Sequence, residues 1–206
     1  MSYLFSYADL RPDRGAEILS QMGWPAPFMQ TITFMDAART PKTLELLGVA
    51  LRLSNFSVMR VKYSLAVKRP VVFSPQVQPM IPTPTHGSLP SGHATEAFFL
   101  ARLLWKLLRA SGTSQYNQDG TWGDMLMRQA ARIAINRTVA GVHFPVDSVS
   151  GAVLGLTLAD YFEERCTYKT GTNGTRSCAT FTGENFAAAD DFNWHQLYDP
   201  ATDEQV

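Results

Sequence analysis

The chain has 206 residues, a length that suits one domain of ordinary size, and 45% of them are hydrophobic while 17% are charged. Lys plus Arg and Asp plus Glu each number 18, so the formal net charge is zero. The balance excludes a general nucleic-acid-binding protein, which carries a basic excess, and the hydrophobic content excludes a globally disordered chain.

Apolar residues recur at helical spacing in four long segments of the chain, which are residues 41–67, 91–110, 121–139 and 145–164. Two shorter and weaker helices are predicted at 15–24 and 27–36. The proline-rich stretch 71–89 is predicted to be a long loop, and loops of this length are usually functional. No segment alternates like a strand, so the sequence predicts an all-α fold, a helical bundle with a four-helix core.

The charges divide the chain into regions. Residues 166–206 hold two basic and six acidic side chains, a balance of −4, which leaves +4 for residues 1–165. We expect a helical arm over 1–40, a helical bundle over 41–165 and an irregular acidic extension over 166–206. The extension is either solvated or packed on a partner subunit. Cys166 and Cys178 are expected to be free thiols, although they could pair in an oxidising compartment.

Targeting segments are not evident. The chain does not open with a basic stretch followed by an apolar run, and no segment reaches the roughly 20 apolar residues of a membrane-spanning helix. We therefore expect a soluble protein that is not embedded in a membrane, with no indication of its cellular compartment.

Three polar clusters lie at predicted helix ends. The first joins Lys62 to Arg69 and Pro70. Residues seven apart share one face of a helix, so the two cations can converge on one anion. Taken alone, this pair is better explained as a solvated basic face.

The second cluster, Pro90-Ser91-Gly92-His93, opens the second long helix. Ser91 is a suitable N-cap, and the free N–H groups of a first helical turn bind anions. Gly92 permits close approach of a ligand, and His93 adds a titratable group. A plain helix cap with an incidental histidine is the alternative.

The third cluster places Arg137, His143 and Asp147 around the start of the last long helix. A carboxylate at Asp147 can accept the Nδ1–H of His143 and leave Nε2 as a nucleophile or metal ligand. The planar guanidinium of Arg137 suits a tetrahedral oxyanion. Asp147 could instead be an acid that favours the helix N-terminus.

In this order, the three clusters resemble the three-part signature shared by vanadium-dependent haloperoxidases and type-2 phosphatidic acid phosphatases, a superfamily that includes soluble bacterial acid phosphatases. The resemblance covers residues 62–158. One departure is Asn136, which stands where the family usually has serine before the arginine. The resemblance implies an all-helical bundle with one oxyanion pocket at helix ends.

The resemblance also implies roles for the residues of the signature. Oxygens of vanadate or phosphate would be held by the group Lys62, Arg69, Arg137, Ser91 and the Gly92 N–H. His93 would be the acid–base group. His143 would be the vanadium ligand of a peroxidase or the nucleophile of a phosphatase, positioned by Asp147.

His86 stands five residues before Ser91, a position at which vanadium bromoperoxidases resemble this chain. We therefore expect a vanadium-dependent haloperoxidase with vanadate as cofactor and phosphate able to occupy the same site. Its partners would be hydrogen peroxide, a halide (bromide favoured) and a small organic acceptor. One alternative is a soluble acid phosphatase that hydrolyses phosphate monoesters through a phosphohistidine. The other is a non-catalytic anion-binding or assembly protein, since the chain is short for a haloperoxidase and could pair with a second copy.

Overall fold

The computed structural model describes residues 1–117, 120–167, 180–187 and 189–205, and Cys178 lies outside them. Its helices in chain order are α1 (Ser2–Ala8), α2 (Arg11–Ser20), α3 (Ala26–Thr33), α4 (Pro41–Leu65), α5 (Pro70–Phe73), α6 (Gly92–Ala110), α7 (Ser114–Asn117), α8 (Thr121–Val139) and α9 (Pro145–Thr167). Three 3₁₀ turns lie at Pro75–Val77, Gly183–Asn185 and Trp194–Gln196. The β-structure of the described residues is one antiparallel pairing of Tyr198–Asp199 with Glu204–Gln205. The predicted all-α class is confirmed.

The long helices lie close to the predicted segments, and the differences have local causes. α4 ends two residues early because Ala66 adopts the left-handed conformation, with φ of 48°. α9 extends three residues beyond the predicted end, and α1 was not predicted. Within the predicted loop 71–89, Pro75–Val77 forms a 3₁₀ turn after the short helix α5.

Helix α6 is the centre of the bundle, in contact with α4, α8 and α9. Its side chains are buried on all sides from Ala94 to Trp105, with Glu96 as the one exception. Glycines let α9 approach it closely, since a Cβ at Gly151 would lie 2.6 Å from the Ser91 carbonyl oxygen and one at Gly155 would lie 2.4 Å from the Thr95 carbonyl oxygen. This close packing places the start of α6 directly against the start of α9.

The acidic tail packs on the bundle of its own chain. Tyr198 is buried, and Trp105 Nε1 donates to the Pro200 carbonyl at 2.9 Å. Asp203 pairs with Arg102 and with Lys106, at 3.3 and 2.9 Å. The expectation of a solvated tail is thus wrong for the described residues 189–205, because buried aromatic rings and cations on α6 hold them, while packing on a partner subunit stays a prediction.

None of the helices in the described ranges combines the length and the apolar character needed to cross a membrane.

Candidate active site

Lys62 lies on the last turn of α4 and is 2% exposed. Its Nζ donates to the carbonyl oxygens of Gly87 and Ser88, at 2.9 and 2.8 Å. Burial, and secondarily the charge of Arg69, lowers the pKa of this ammonium group to about 7. An anion beside it would favour the charged form, so the lysine is prepared to bind negative charge.

Arg69 is buried, but the prediction that it shares a helical face with Lys62 is wrong. The sequence placed it on the helical face of Lys62, whereas α4 ends at Leu65 and Arg69 follows in extended backbone. Its guanidinium instead reaches the α8–α9 turn, where Nη1 donates to the Val142 carbonyl at 2.9 Å and lies 3.1 Å from His143 Nε2. Burial lowers its pKa.

His86 lies beside Arg69 at the end of the proline-rich loop. Its Nδ1 is 3.2 Å from Arg69 Nη2, and its carbonyl accepts from Arg69 Nε at 3.2 Å. Burial lowers the pKa of the imidazole, and the charges of Lys62 and Arg69 lower it further. His86 is therefore neutral at pH 7 and contacts the cationic side of the site.

His143 and Asp147 form a buried pair at the start of α9. Asp147 Oδ2 lies 3.0 Å from His143 Nδ1 and accepts from the Phe144 N–H at 2.9 Å and from Ser88 Oγ at 2.5 Å. Burial raises the pKa of the carboxyl, but these hydrogen bonds lower it more, so Asp147 is ionised. The Asp147 carboxylate can only accept a hydrogen bond, so Nδ1 of His143 carries the proton. Arg69 can only donate, so Nε2 is unprotonated and accepts from it.

The imidazole of His143 is neutral over the physiological range. Burial lowers its pKa to about 4, against the opposing effect of Asp147. A neutral imidazole with a fixed Nδ1–H and an unprotonated Nε2 is the nucleophilic form of histidine.

Arg137, on the last turn of α8, is 1% exposed and incompletely paired. Its Nη2 lies 3.3 Å from the Ile18 carbonyl oxygen and 3.5 Å from Gln21 Oε1. Among the residues that the structure describes, its Nε and Nη1 have no hydrogen-bond partner, and burial lowers its pKa to about 10. Unpaired buried donors are costly, and an oxyanion would satisfy them.

The start of α6 supplies the remaining predicted residues. Ser91 is fully buried, caps the helix by accepting from the Ala94 N–H, and donates its own N–H to the Asp147 carbonyl at 2.9 Å. A Cβ at Gly92 would have Val58 Cγ1 as its nearest neighbour, at 3.8 Å, so space remains beside this residue. His93 Nε2 lies 3.3 Å from the Met22 carbonyl oxygen. Burial, and then the charge of Arg137, lowers the pKa of His93 to about 4.

The predicted residues thus form two adjacent groups. Direct contacts join the first group, which is Lys62, Arg69, His86, His143 and Asp147 with the loop 86–88. The second group is His93 and Arg137, which lie next to Met22 and Gln21 just after the end of α2. Among the described residues, no side-chain hydrogen bond joins the two groups, and the backbone bond from the Ser91 N–H to the Asp147 carbonyl links the residue before Gly92 and His93 to the first group.

Two residues of the site were missed from the sequence. Ser88 donates to Asp147, and its place in the proline-rich loop was the only signal. Gln21 is buried and accepts from Asn136 Nδ2 at 2.8 Å and from Arg137. Asn136, the departure from the family pattern, is engaged with this glutamine and with Arg14. Nothing in the sequence indicated that contact.

The fold is similar to that of a solved protein. The crystal structure of the first transmembrane PAP2-type phosphatidylglycerolphosphate phosphatase from Bacillus subtilis superposes with a TM-score of 0.51 at 16% sequence identity, over 82% of this chain and 95% of that chain. Comparison with curated proteins gives no match.

This likeness corrects the predicted partners. The sequence predicted a protein that is not embedded in a membrane. Its expected partners were hydrogen peroxide, a halide and a small organic acceptor, or else a phosphate monoester. The same fold occurs in a transmembrane enzyme whose name gives a phospholipid as substrate. The prediction of small soluble partners is therefore wrong.

The sequence model of the PAP2 superfamily matches residues 44–162, more than half of the chain. This match spans all three clusters that suggested the resemblance, from Lys62 to Asp147, and it confirms the resemblance. The chain belongs to the PAP2 superfamily.

Proposed function

We propose that the protein is a phosphatase that transfers the phosphoryl group of a lipid-type phosphate monoester to His143 and then to water. One observation carries the proposal: the neutral His143 is oriented by Asp147, with its Nε2 lone pair directed at a buried cation. The likeness to a phosphatase favours this function over the vanadium haloperoxidase that His86 suggested.

Binding would use the buried cations. The phosphate oxygens would accept hydrogen bonds from the unpaired Nε and Nη1 of Arg137. They would also attract the guanidinium of Arg69, which would then move away from His143 Nε2. Lys62 would add charge from the opposite side. The N–H groups of Gly92 and His93, in the first turn of α6, would add hydrogen-bond donors and the positive end of the helix dipole.

The chemistry would proceed in two in-line steps. In the first, Nε2 of His143 forms a bond to phosphorus as the bond to the leaving oxygen breaks, and His93 gives its proton to that oxygen. In the second, His93 takes a proton from water, whose oxygen attacks phosphorus and releases phosphate and His143. A bound phosphate dianion raises the pKa of His93 above its value of about 4 in the free protein, which makes the proton donation feasible.

Vanadate fits the same donors, because it is a tetrahedral oxyanion like phosphate. Lys62, Arg69 and Arg137 would hold its oxygens and Nε2 of His143 would bind its vanadium; when bound, it would supply a mimic of the phosphoryl-transfer transition state. We propose that vanadate and phosphate compete for this site.

The test is release of phosphate from phosphatidic acid in detergent micelles and from p-nitrophenyl phosphate by the purified protein. His143→Ala should abolish release, while His195→Ala, which alters an exposed histidine stacked on Trp194 in the tail, should not change it. Calorimetry with phosphate and vanadate accompanies the assay. Anion binding without any phosphate release by a folded protein would support the non-catalytic alternative instead.

A further inference from the structure

A groove of about 690 Å³ lies beside the candidate site, between α4 and α6. Its walls are largely apolar and include Trp24, Leu51, Phe56 and Met59. Tyr63 lines both this groove and the cavity that contains Lys62, Arg69 and His86. The groove is therefore next to this cavity of the candidate site.

One carboxyl group faces this apolar groove. Glu96 lies on α6, three residues after His93, so the two side chains share a face of the helix. In the described part of the chain, it has no hydrogen bond and no ion pair. It is also the one side chain between Ala94 and Trp105 that is not fully buried, because the groove opens onto it.

An unpaired carboxyl group in an apolar wall is unfavourable unless a ligand satisfies it. Burial alone raises the pKa of Glu96 to about 7, so near neutrality it both donates and accepts hydrogen bonds. Two arginines, Arg52 and Arg60, lie at the exposed side of the groove and disfavour a cationic ligand there. A hydroxyl group matches both properties.

We propose that Glu96 is a specificity-determining residue that hydrogen-bonds a hydroxyl group on the leaving alcohol of the substrate, whose apolar part lies in the groove. The inference rests on the proposed phosphatase function. Sites that are built to bind a hydroxyl group discriminate strongly against the analogue that lacks it, since the buried partner is then left unpaired. Glu96 thereby selects among lipid-type phosphate esters without contact with the phosphate.

The experiment compares dodecyl phosphate with 2-hydroxydodecyl phosphate, which differ only by the hydroxyl group. The wild-type protein should prefer the hydroxylated ester by about tenfold in kcat/KM, mainly through KM, as expected for one hydrogen bond to a carboxyl group. Glu96→Leu should lose this preference through weaker use of the hydroxylated ester alone, and Glu96→Gln should keep part of it. Glu45→Gln, an exposed acid paired with Lys42 on α4, is the control and should leave the preference intact.

The outcomes of this experiment distinguish the role of Glu96 from the phosphatase function. Equal losses on both esters in Glu96→Leu, or no preference in the wild-type protein, would overturn the role of Glu96 while phosphatase activity persists. No hydrolysis of either ester or of p-nitrophenyl phosphate would overturn the phosphatase function and the inference with it. Circular dichroism verifies folding, and Glu96→Met replaces the leucine variant if the latter does not fold.

Discussion

Arg69 Nη1 lies 3.1 Å from Nε2 of His143, the same atom that the proposed reaction uses as its nucleophile. An arginine can only donate, so this contact requires an unprotonated Nε2 and, in consequence, a proton on Nδ1. It also means that Arg69 covers the nucleophile in the free protein. In the proposed reaction, a phosphate group that enters the site would attract Arg69 to its own oxygens and expose Nε2.

The contact between Asp147 and Nδ1 of His143 predicts a positioning effect. Asp147→Asn removes the charge that fixes the tautomer, so kcat should fall by about 10²–10⁴-fold. Binding of phosphate, measured by calorimetry, should change by less than about tenfold, because Asp147 does not contact the anion. Asp124→Asn, which alters an exposed pair with Arg128, is the control. A loss of phosphate binding equal to the loss of kcat would contradict a role in orientation.

The roles of His93 and His143 should be distinguishable in an experiment that traps the phosphoenzyme. p-Nitrophenyl phosphate has a leaving group that departs without protonation, so His93→Ala should still form the phosphoenzyme but hydrolyse it slowly. We expect an acid-labile, base-stable phosphohistidine to accumulate in this variant and to be absent from His143→Ala. Rapid quench with labelled substrate measures both. Accumulation in the His143 variant would place the phosphoryl group on another residue.

The shifted pKa values predict an acidic optimum. The nucleophilic form of His143 is lost as pH falls through about 4, and the cationic form of Lys62 is lost as pH rises through about 7. With p-nitrophenyl phosphate, whose leaving group needs no proton from His93, the kcat/KM profile reports these two groups of the free enzyme and should be bell-shaped with its maximum between these values. Lys62→Arg should move the alkaline limb upward, because arginine does not titrate in this range.

The control for the pH profile is Lys42→Arg, an exposed lysine on the first turn of α4. It should leave both limbs in place. The pKa of the substrate is measured separately, and the pH profile is corrected for the ionisation of the substrate. An alkaline limb that stays at the same pH in Lys62→Arg would assign that limb to another group.

The sequence predicted those parts of the site that depend on local structure. The helical period predicted α8 with both of its ends, and the cap at Ser91 follows from its residue type. Asp147 could be paired with His143 because four residues separate them. These relations need only the geometry of a helix and its first turn.

Long-range contacts could not be predicted in the same way. Gln21 and Arg137 are 116 residues apart, and no local pattern joins them. The position of Arg69 was assigned to a helix that ends earlier, because the left-handed Ala66 has no strong sequence signal of the kind that glycine provides. Arg102 is buried and pairs with Asp203, 101 residues away, a contact that a single sequence does not show.

The last prediction concerns this returning tail. Asp203 accepts hydrogen bonds from Lys106 Nζ at 2.9 Å and from the Tyr198 hydroxyl at 2.6 Å, and it pairs with the buried Arg102. Asp203→Asn removes the charge but keeps the shape. We expect it to lower the free energy of unfolding by about 1–3 kcal/mol, because buried donors lose a charged acceptor; partial exposure and the remaining pair of Arg102 with Asp160 limit the loss.

For a chain of this size, that change lowers Tm by about 2–12 °C, which differential scanning calorimetry resolves. Glu204→Gln alters the exposed neighbouring residue, the first of the short strand Glu204–Gln205, and should leave Tm unchanged. The kcat/KM of the Asp203 variant at 25 °C should stay close to that of the wild type, since the tail contacts α6 beyond its first turn, away from Ser91 and His93. A large loss of activity without a change in Tm would show that the tail acts on the site and does more than hold the bundle together.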